Sequence, residues 1–93
     1  MLNTRAGISA HEVRFYIAAK AEHAHWRTAA ELAKFAKISA RTARKFTEEF
    51  VAIGLLSQVA SWPAYNYQWN PSGSSQTKEY VARLEQAARV FGV

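Results

Sequence analysis

Cysteine is absent from this chain of 93 residues, and so is aspartate. Without a thiol there is no disulfide, no thiolate metal site and no cysteine nucleophile, and the composition suits a reducing cytosol. No apolar run approaches the roughly 18 residues that a membrane-spanning helix needs. The opening Met1-Leu2-Asn3-Thr4-Arg5 lacks the apolar stretch of a secretory leader. A soluble, cytoplasmic protein with no membrane partner is expected. Charge is missing too: from Phe50 through Thr77 there is no charged side chain, and between Lys34 and Lys45 there is no acid. Catalytic signatures are equally scarce. There are no paired carboxylates, no nucleophile elbow, no glycine-rich phosphate loop and no zinc spacing. His23 and His25 stand two apart, so they splay, and neither cysteine nor aspartate supports them as metal ligands. His11 has no evident partner. The expectation is a non-enzyme without metal, cofactor or small-molecule ligand.

What is present is positive charge, concentrated in one place. The formal net charge is +5, which favours an anionic partner, nucleic acid before membrane surface. Lys34, Lys37, Arg41, Arg44 and Lys45 fall within twelve positions. About half of the residues are hydrophobic, enough for one compact domain, although a chain of this length is marginal.

Three capping patterns mark helix starts. Ser9-Ala10-His11-Glu12 has capping-box spacing, and Val13, Tyr16, Ile17, Ala21 and Ala24 follow at helical intervals, which predicts a first helix over 10–24. Thr28-Ala29-Ala30-Glu31 is a second box and opens a short helix over 29–36, with Leu32, Ala33, Phe35 and Ala36. Between them His25-Trp26-Arg27 is a connector with room for a brief extended segment. Ser39 is the third cap. Ala40, Ala43, Phe46, Phe50 and Ile53 then predict a helix over 40–53, closed by Gly54 as a left-handed residue with Leu55 and Leu56 beyond it. After this the period changes. Two short runs flank Trp62-Pro63, and Tyr65, Tyr67 and Trp69 alternate with amides, which reads as a hairpin with a core-facing aromatic edge. A last helix over 77–91 carries Tyr80, Val81, Leu84, Ala88 and Phe91, with Gly92 as its stop. An isolated hairpin is not stable alone, so it must lie on the helices.

The second helix, its turn and the third helix resemble a helix-turn-helix unit. Leu32-Ala33 match the apolar residue and close-packing alanine of its first helix. Lys37 and Ile38 match the turn and the anchor after it, and Ala43 and Phe46 match the inner positions of its second helix. The string Ile38-Ser39-Ala40-Arg41-Thr42-Ala43-Arg44, continued to Gly54-Leu55-Leu56, is similar to the recognition helix of bacterial winged helix regulators. MarR-like and ArsR-like regulators share this layout, as do many phage repressors and plasmid replication initiators. The resemblance covers about residues 10–70. It implies a mostly α fold with a small β-hairpin, a single winged helix-turn-helix domain over 1–93, with the helix-turn-helix at 28–53, the wing at 56–70 and the C-terminal helix at 77–91. Two features depart from the pattern. Lys37 stands where the turn often has glycine, and the wing carries no charge where minor-groove wings usually carry arginine or lysine.

The resemblance implies a sequence-specific double-stranded DNA binder, a repressor-like transcriptional regulator reading the major groove with its third helix. On that helix Arg41, Lys45, Glu48 and Ala52 point away from the apolar stripe, with Arg44 and Thr42 at its edges. Arg41, Arg44 and Lys45 are the candidate base readers, with Thr42 a weaker one. Lys34 and Lys37 are candidate phosphate contacts, and Ser39 and Thr28 join them beside the free N–H groups of their helix starts. The plainer reading is a solvated face in which Arg44 pairs with Glu48 and Lys45 with Glu49, and in which Ser39 and Thr28 only cap. Homodimerisation through the first and last helices is expected; in the alternative, both pack on their own domain. Two rival functions stand beside the first: a winged helix used for protein–protein assembly through its uncharged wing, and a replication or recombination accessory factor of a mobile element. Trp62 at the turn can fold back, touch DNA sugars or enter a subunit interface.

Overall fold

The computed structural model describes residues 7–92; the leader reading at residues 1–5 and the C-terminal Val93 lie outside the described residues. The chain runs α1 (Ala10–Ala21), α2 (Ala29–Ala36), α3 (Ala40–Ala52), β1 (Leu56–Ser61), β2 (Ala64–Trp69) and α4 (Ser75–Phe91).

Every helix begins at a hydroxyl. Ser9, Thr28, Ser39 and Ser74 hold extended backbone, and each side-chain oxygen accepts from the N–H three residues ahead, at 3.2, 3.1, 3.1 and 3.2 Å. This satisfies one of the donors that a helix start leaves open. The reciprocal half of the box closes at α2, where the Glu31 carboxylate accepts from the Thr28 N–H at 2.9 Å. At α1 the expected box is only half built, because the Glu12 carboxylate instead accepts from the Tyr80 hydroxyl of α4. The ends of α2 and α3 close alike. Lys37 is left-handed (φ 60°, ψ 46°), with its N–H to Lys34 O at 3.3 Å and that of Ile38 to Ala33 O at 3.0 Å. Gly54 (φ 86°) repeats the pattern, with its N–H to Val51 O at 3.1 Å and that of Leu55 to Phe50 O at 2.8 Å. Both are Schellman closures. At Gly54 a Cβ would also come within 3.0 Å of Ser72 Cβ and Thr77 Oγ1, so glycine is required there by space as well as by backbone conformation.

α3 ends at Ala52, one residue before the sequence reading, and two boundaries differ by more. α1 stops at Ala21, three residues early. Glu22 is taken by Arg27 (2.8 Å), and Arg27 exchanges two backbone hydrogen bonds with Tyr67, both 2.8 Å. The connector is therefore extended and joins β2 as a one-residue third strand. α4 starts at Ser75 rather than 77, because Ser74 supplies its cap from inside what reads as loop composition.

The hairpin is antiparallel, from Leu56↔Trp69 to Ser61↔Ala64, with Trp62-Pro63 as its turn. Its aromatic edge is only partly in the core. Tyr67 is buried and Trp69 packs against the core, meeting Tyr16 edge-on at 5.6 Å, but Tyr65 is exposed. A strand advances about 3.4 Å per residue, so four residues carry Tyr65 past the edge of the helices.

The core joins Phe15, Tyr16 and Ala19 of α1 to Leu32 and Ala33 of α2, Ala43, Phe46 and Phe50 of α3, then Leu55, Leu56, Tyr67 and Leu84. Phe15 lies 5.7 Å from Phe46 and 5.1 Å from Phe50 between ring centroids. The α1 stripe is thus rotated from the expected one. Val13 and Tyr16 are buried as expected, but Phe15, Ala18 and Ala19 complete the inner face, while Ile17 and Ala21 point outward. α1 and α4 pack on each other within the chain, which is the alternative weighed against a purely intermolecular role for them.

Candidate nucleic-acid interface

α3 owes its orientation to its apolar stripe. Ala43, Phe46, Thr47 and Phe50 are buried, and the small Ala33 lies buried opposite on α2. Thr47 is the polar member of this stripe. Its hydroxyl donates to Arg44 O at 2.7 Å, which settles the donor within its own helix. With the inner face fixed, about 100° per residue places Arg41, Arg44, Lys45 and Glu48 on the opposite arc, and all four are exposed. Lys34 on the last turn of α2 and Lys37 in the turn are exposed as well.

The ion pairs among the described residues are Lys20–Glu85 at 3.5 Å and Arg27–Glu22 at 2.8 Å. Neither involves the basic cluster. The pairs of the plainer reading, Arg44–Glu48 and Lys45–Glu49, are not among them. Glu49 stays exposed; partial burial, then the nearby Glu12 carboxylate, raise its pKa, with Lys45 pulling the other way. None of the five cations on and beside the first half of α3 stands in an ion pair among the described residues, although Lys45 lies near enough to Glu49 to lower its pKa. Like charges at Arg41 and Lys45 cost roughly 0.2–0.5 kcal/mol at i, i+4 spacing.

The hydroxyl candidates are engaged locally. Ser39 Oγ accepts from the Thr42 N–H and donates to Thr42 Oγ1 at 2.8 Å. Thr42 is half-buried and its hydroxyl is held by the cap, so it stands apart from the three cations. Thr28 is locked in its capping box. Sequence reasoning missed Thr47 and Ser74, although Thr47 lies at i+4 from Ala43, on the same stripe.

The wing is a different kind of surface. Trp62 at its tip is 89% exposed, with Val59 and Tyr65 beside it in the exposed half of the hairpin.

No protein-family model matches the chain, and no curated protein matches its sequence. Its structure is similar to solved ones. A point mutant of ZitR from Lactococcus lactis superposes with a TM-score of 0.52 at 14% identity, over 86% of this chain and 56% of that one. The MarR family transcriptional regulator SPO1453 from Silicibacter pomeroyi DSS-3 superposes with a TM-score of 0.53 at 17% identity, over 94% and 59%. The fold is a winged helix. In it α2, the Lys37 turn and α3 form the helix-turn-helix, and β1 and β2 form the wing. The chain spans less than two thirds of the length of either neighbour.

Proposed function

We propose that this winged helix binds double-stranded DNA sequence-specifically, as a repressor-like transcriptional regulator that puts the start of α3 into the major groove. The observation that carries this reading is the unpaired cationic arc of Arg41, Arg44 and Lys45, flanked by Lys34 and Lys37. Its likeness in fold to a transcriptional regulator of the MarR family supports it. Arg41, Arg44 and Lys45 read bases, with Thr42 secondary, since its hydroxyl must leave the cap to do so. Lys34 and Lys37 take phosphates, and Ser39 and Thr28 frame the helix starts where backbone N–H groups meet anions. The chain acts as one domain without catalysis or cofactor, in the cytoplasm, and pairs with a second copy through α1 and α4 to read two half-sites. Among the described residues no helix is long and apolar enough to cross a membrane.

Affinity for duplex DNA measured across salt is the test. Each neutralised phosphate contributes about −0.9 to the log–log slope, so Lys34 and Lys37 alone give a slope of about −1.8 per protomer, steeper for each base reader that also meets a phosphate. Arg41→Ala and Arg44→Ala each weaken the preferred site by about 1–3 kcal/mol and relax its sequence. A duplex affinity insensitive to salt and to both substitutions removes the reading.

Lys37 supplies a second prediction with opposed readouts. A left-handed non-glycine residue costs about 1–2 kcal/mol, offset in part by the chain entropy glycine loses on folding. Lys37→Gly raises stability by roughly 0.5–1 kcal/mol in urea melts while making the salt slope shallower by about 0.9.

The exposed Trp62 on an uncharged wing favours the assembly reading as the second one. Trp62→Ser tests it: loss of a protein complex with the substitution, in a chain that shows no duplex affinity, favours assembly over DNA binding.

A further inference from the structure

The valley between α1 and α2 is lined on one side by Arg14, Ile17, Ala18 and Ala21 and on the other by Phe35, Ala36 and Lys37. The α1 residues recur at i, i+3, i+4 and i+7, so they form one stripe of that helix. It shares Ala18 with the face that builds the core, but Arg14, Ile17 and Ala21 lie outside that face. Ile17 is 39% and Phe35 52% exposed, both large and apolar. They flank an open groove of about 430 Å³. The core faces are already taken, by Val13, Phe15 and Tyr16 on α1 and by Leu32, Ala33 and Ala36 on α2, so Ile17 and Phe35 are left outside it. One face of the Phe35 ring is steadied by the Arg27 guanidinium at 5.5 Å, which presents an ordered aromatic ring to whatever enters.

The rim decides what enters. Glu22 lies at the groove, but Arg27 neutralises it at 2.8 Å. Arg14 meets the His11 ring at 3.5 Å, and among the described residues neither Arg14 nor Lys37 has an ion pair. The groove therefore has an apolar floor and an uncompensated positive rim at each side. From this geometry we infer that it docks an acidic amphipathic helix of a partner protein, with apolar side chains between Ile17 and Phe35 and carboxylates toward Arg14 and Lys37. Helix-in-groove recognition has this form: anchors at i, i+3, i+4 and i+7 against an apolar trough. A second copy of the chain fits less well, because a two-fold contact sets the same positive rim against itself. DNA fits the rim but not the floor.

The probe is a synthetic 16-residue helix with leucines on one face and glutamates flanking them, titrated without DNA into isotope-labelled protein. A twin with lysines in place of the glutamates is the control. The expected result is movement of the amide signals of Ile17, Ala21 and Phe35, with the lysine twin at least tenfold weaker. Phe35→Ser abolishes the shifts while the thermal unfolding curve shows the domain intact, and Arg14→Glu narrows or reverses the preference between the peptides. Equal affinity for the two peptides, or shifts confined to other surfaces, overturns the inference. Concentration-dependent self-association that Phe35→Ser removes overturns it in favour of a second copy. Failure here leaves the DNA reading standing, since no step of the titration involves DNA.

Discussion

Phe50→Ala lowers the unfolding free energy by about 3–5 kcal/mol, most of what a marginal domain of this size has available. Phe50 is fully buried, and its ring meets Phe15 edge-on at 5.1 Å and Tyr80 edge-on at 5.8 Å. It thus ties α3 to α1 and to α4 at once. Each aromatic pair contributes about 0.5–1.5 kcal/mol beyond burial, and helices on three sides leave the cavity little freedom to collapse. The effect belongs at the upper end of the range, and a melting point lower by roughly 20 °C follows. Phe35→Ala is the internal contrast. That ring is half exposed and loses mainly its Arg27 contact, so the cost stays near 1 kcal/mol. Urea melts of the two variants read this difference directly. A Phe50→Ala loss below about 1.5 kcal/mol would mean that the three helices do not share one core. Phe50 faces away from Arg41 and Lys45, so the substitution leaves the proposed DNA-contacting face of the folded fraction unchanged.

The helix-turn-helix was legible because its signals are local and redundant. Thr28 and Ser39 sit at their caps, Lys37 is left-handed between them, and α3 has one apolar stripe, so the outward arc of Arg41, Arg44 and Lys45 follows from counting. α1 was legible in existence but not in rotation. Val13, Phe15, Tyr16, Ile17, Ala18, Ala19 and Ala21 surround it with apolar or small residues, so several stripes fit the periodicity equally. Packing against Phe46 and Phe50 chooses Phe15 and leaves Ile17 outside. The groove between α1 and α2 arises from that choice and has no separate signature in the sequence.

What stayed hidden was long-range and polar. Glu12 and Tyr80 stand 68 positions apart, and Tyr16 and Glu85 stand 69 apart. No periodicity relates such pairs. Glu12 reads as the acid of a capping box because Ser9 is its near neighbour, yet its carboxylate takes a hydroxyl from α4. Thr77 is similar. It looks like a surface residue near a helix start, but its hydroxyl donates to Ile53 O at 2.7 Å and anchors α4 to the end of α3. On α3 the sequence alone allowed either salt-bridged or free arginines, and only the side-chain placement separates those two readings of one charge pattern.

Those hidden contacts make the fold sensitive to base. Burial first, then the hydrogen bond to Glu85 and its charge, push the Tyr16 hydroxyl above the ordinary tyrosine range. Burial, then the hydrogen bond to Glu12 and the charges of Glu12 and Glu49, do the same for Tyr80. Folded pKa values raised above the unfolded value near 10 mean that the stability these hydroxyls contribute is complete below pH 10. It is lost as pH rises beyond that, because the unfolded chain releases the protons first. One such proton is worth about 1.4 kcal/mol per pH unit. Tyr80 is partly exposed, so screening trims its share, and the two together remove about 2 kcal/mol at pH 11. The acid limb has the opposite sign. The Tyr16 hydrogen bond holds Glu85 below the ordinary carboxylate range, so its contribution is present at neutral pH and declines as pH falls below about 4.5. Both hydroxyl–carboxylate contacts cross from α1 to α4, and with either tyrosine ionised a second anion faces the carboxylate there. Urea midpoints at pH 7, 9 and 11 test this on the parent chain and on Tyr16→Phe combined with Tyr80→Phe. The double variant is less stable at pH 7, where it lacks two charge-assisted hydrogen bonds, and its decline between pH 9 and 11 is shallower than the parent's by about 2 kcal/mol. Parallel declines would place the alkaline sensitivity in other groups and sever it from the joint between α1 and α4.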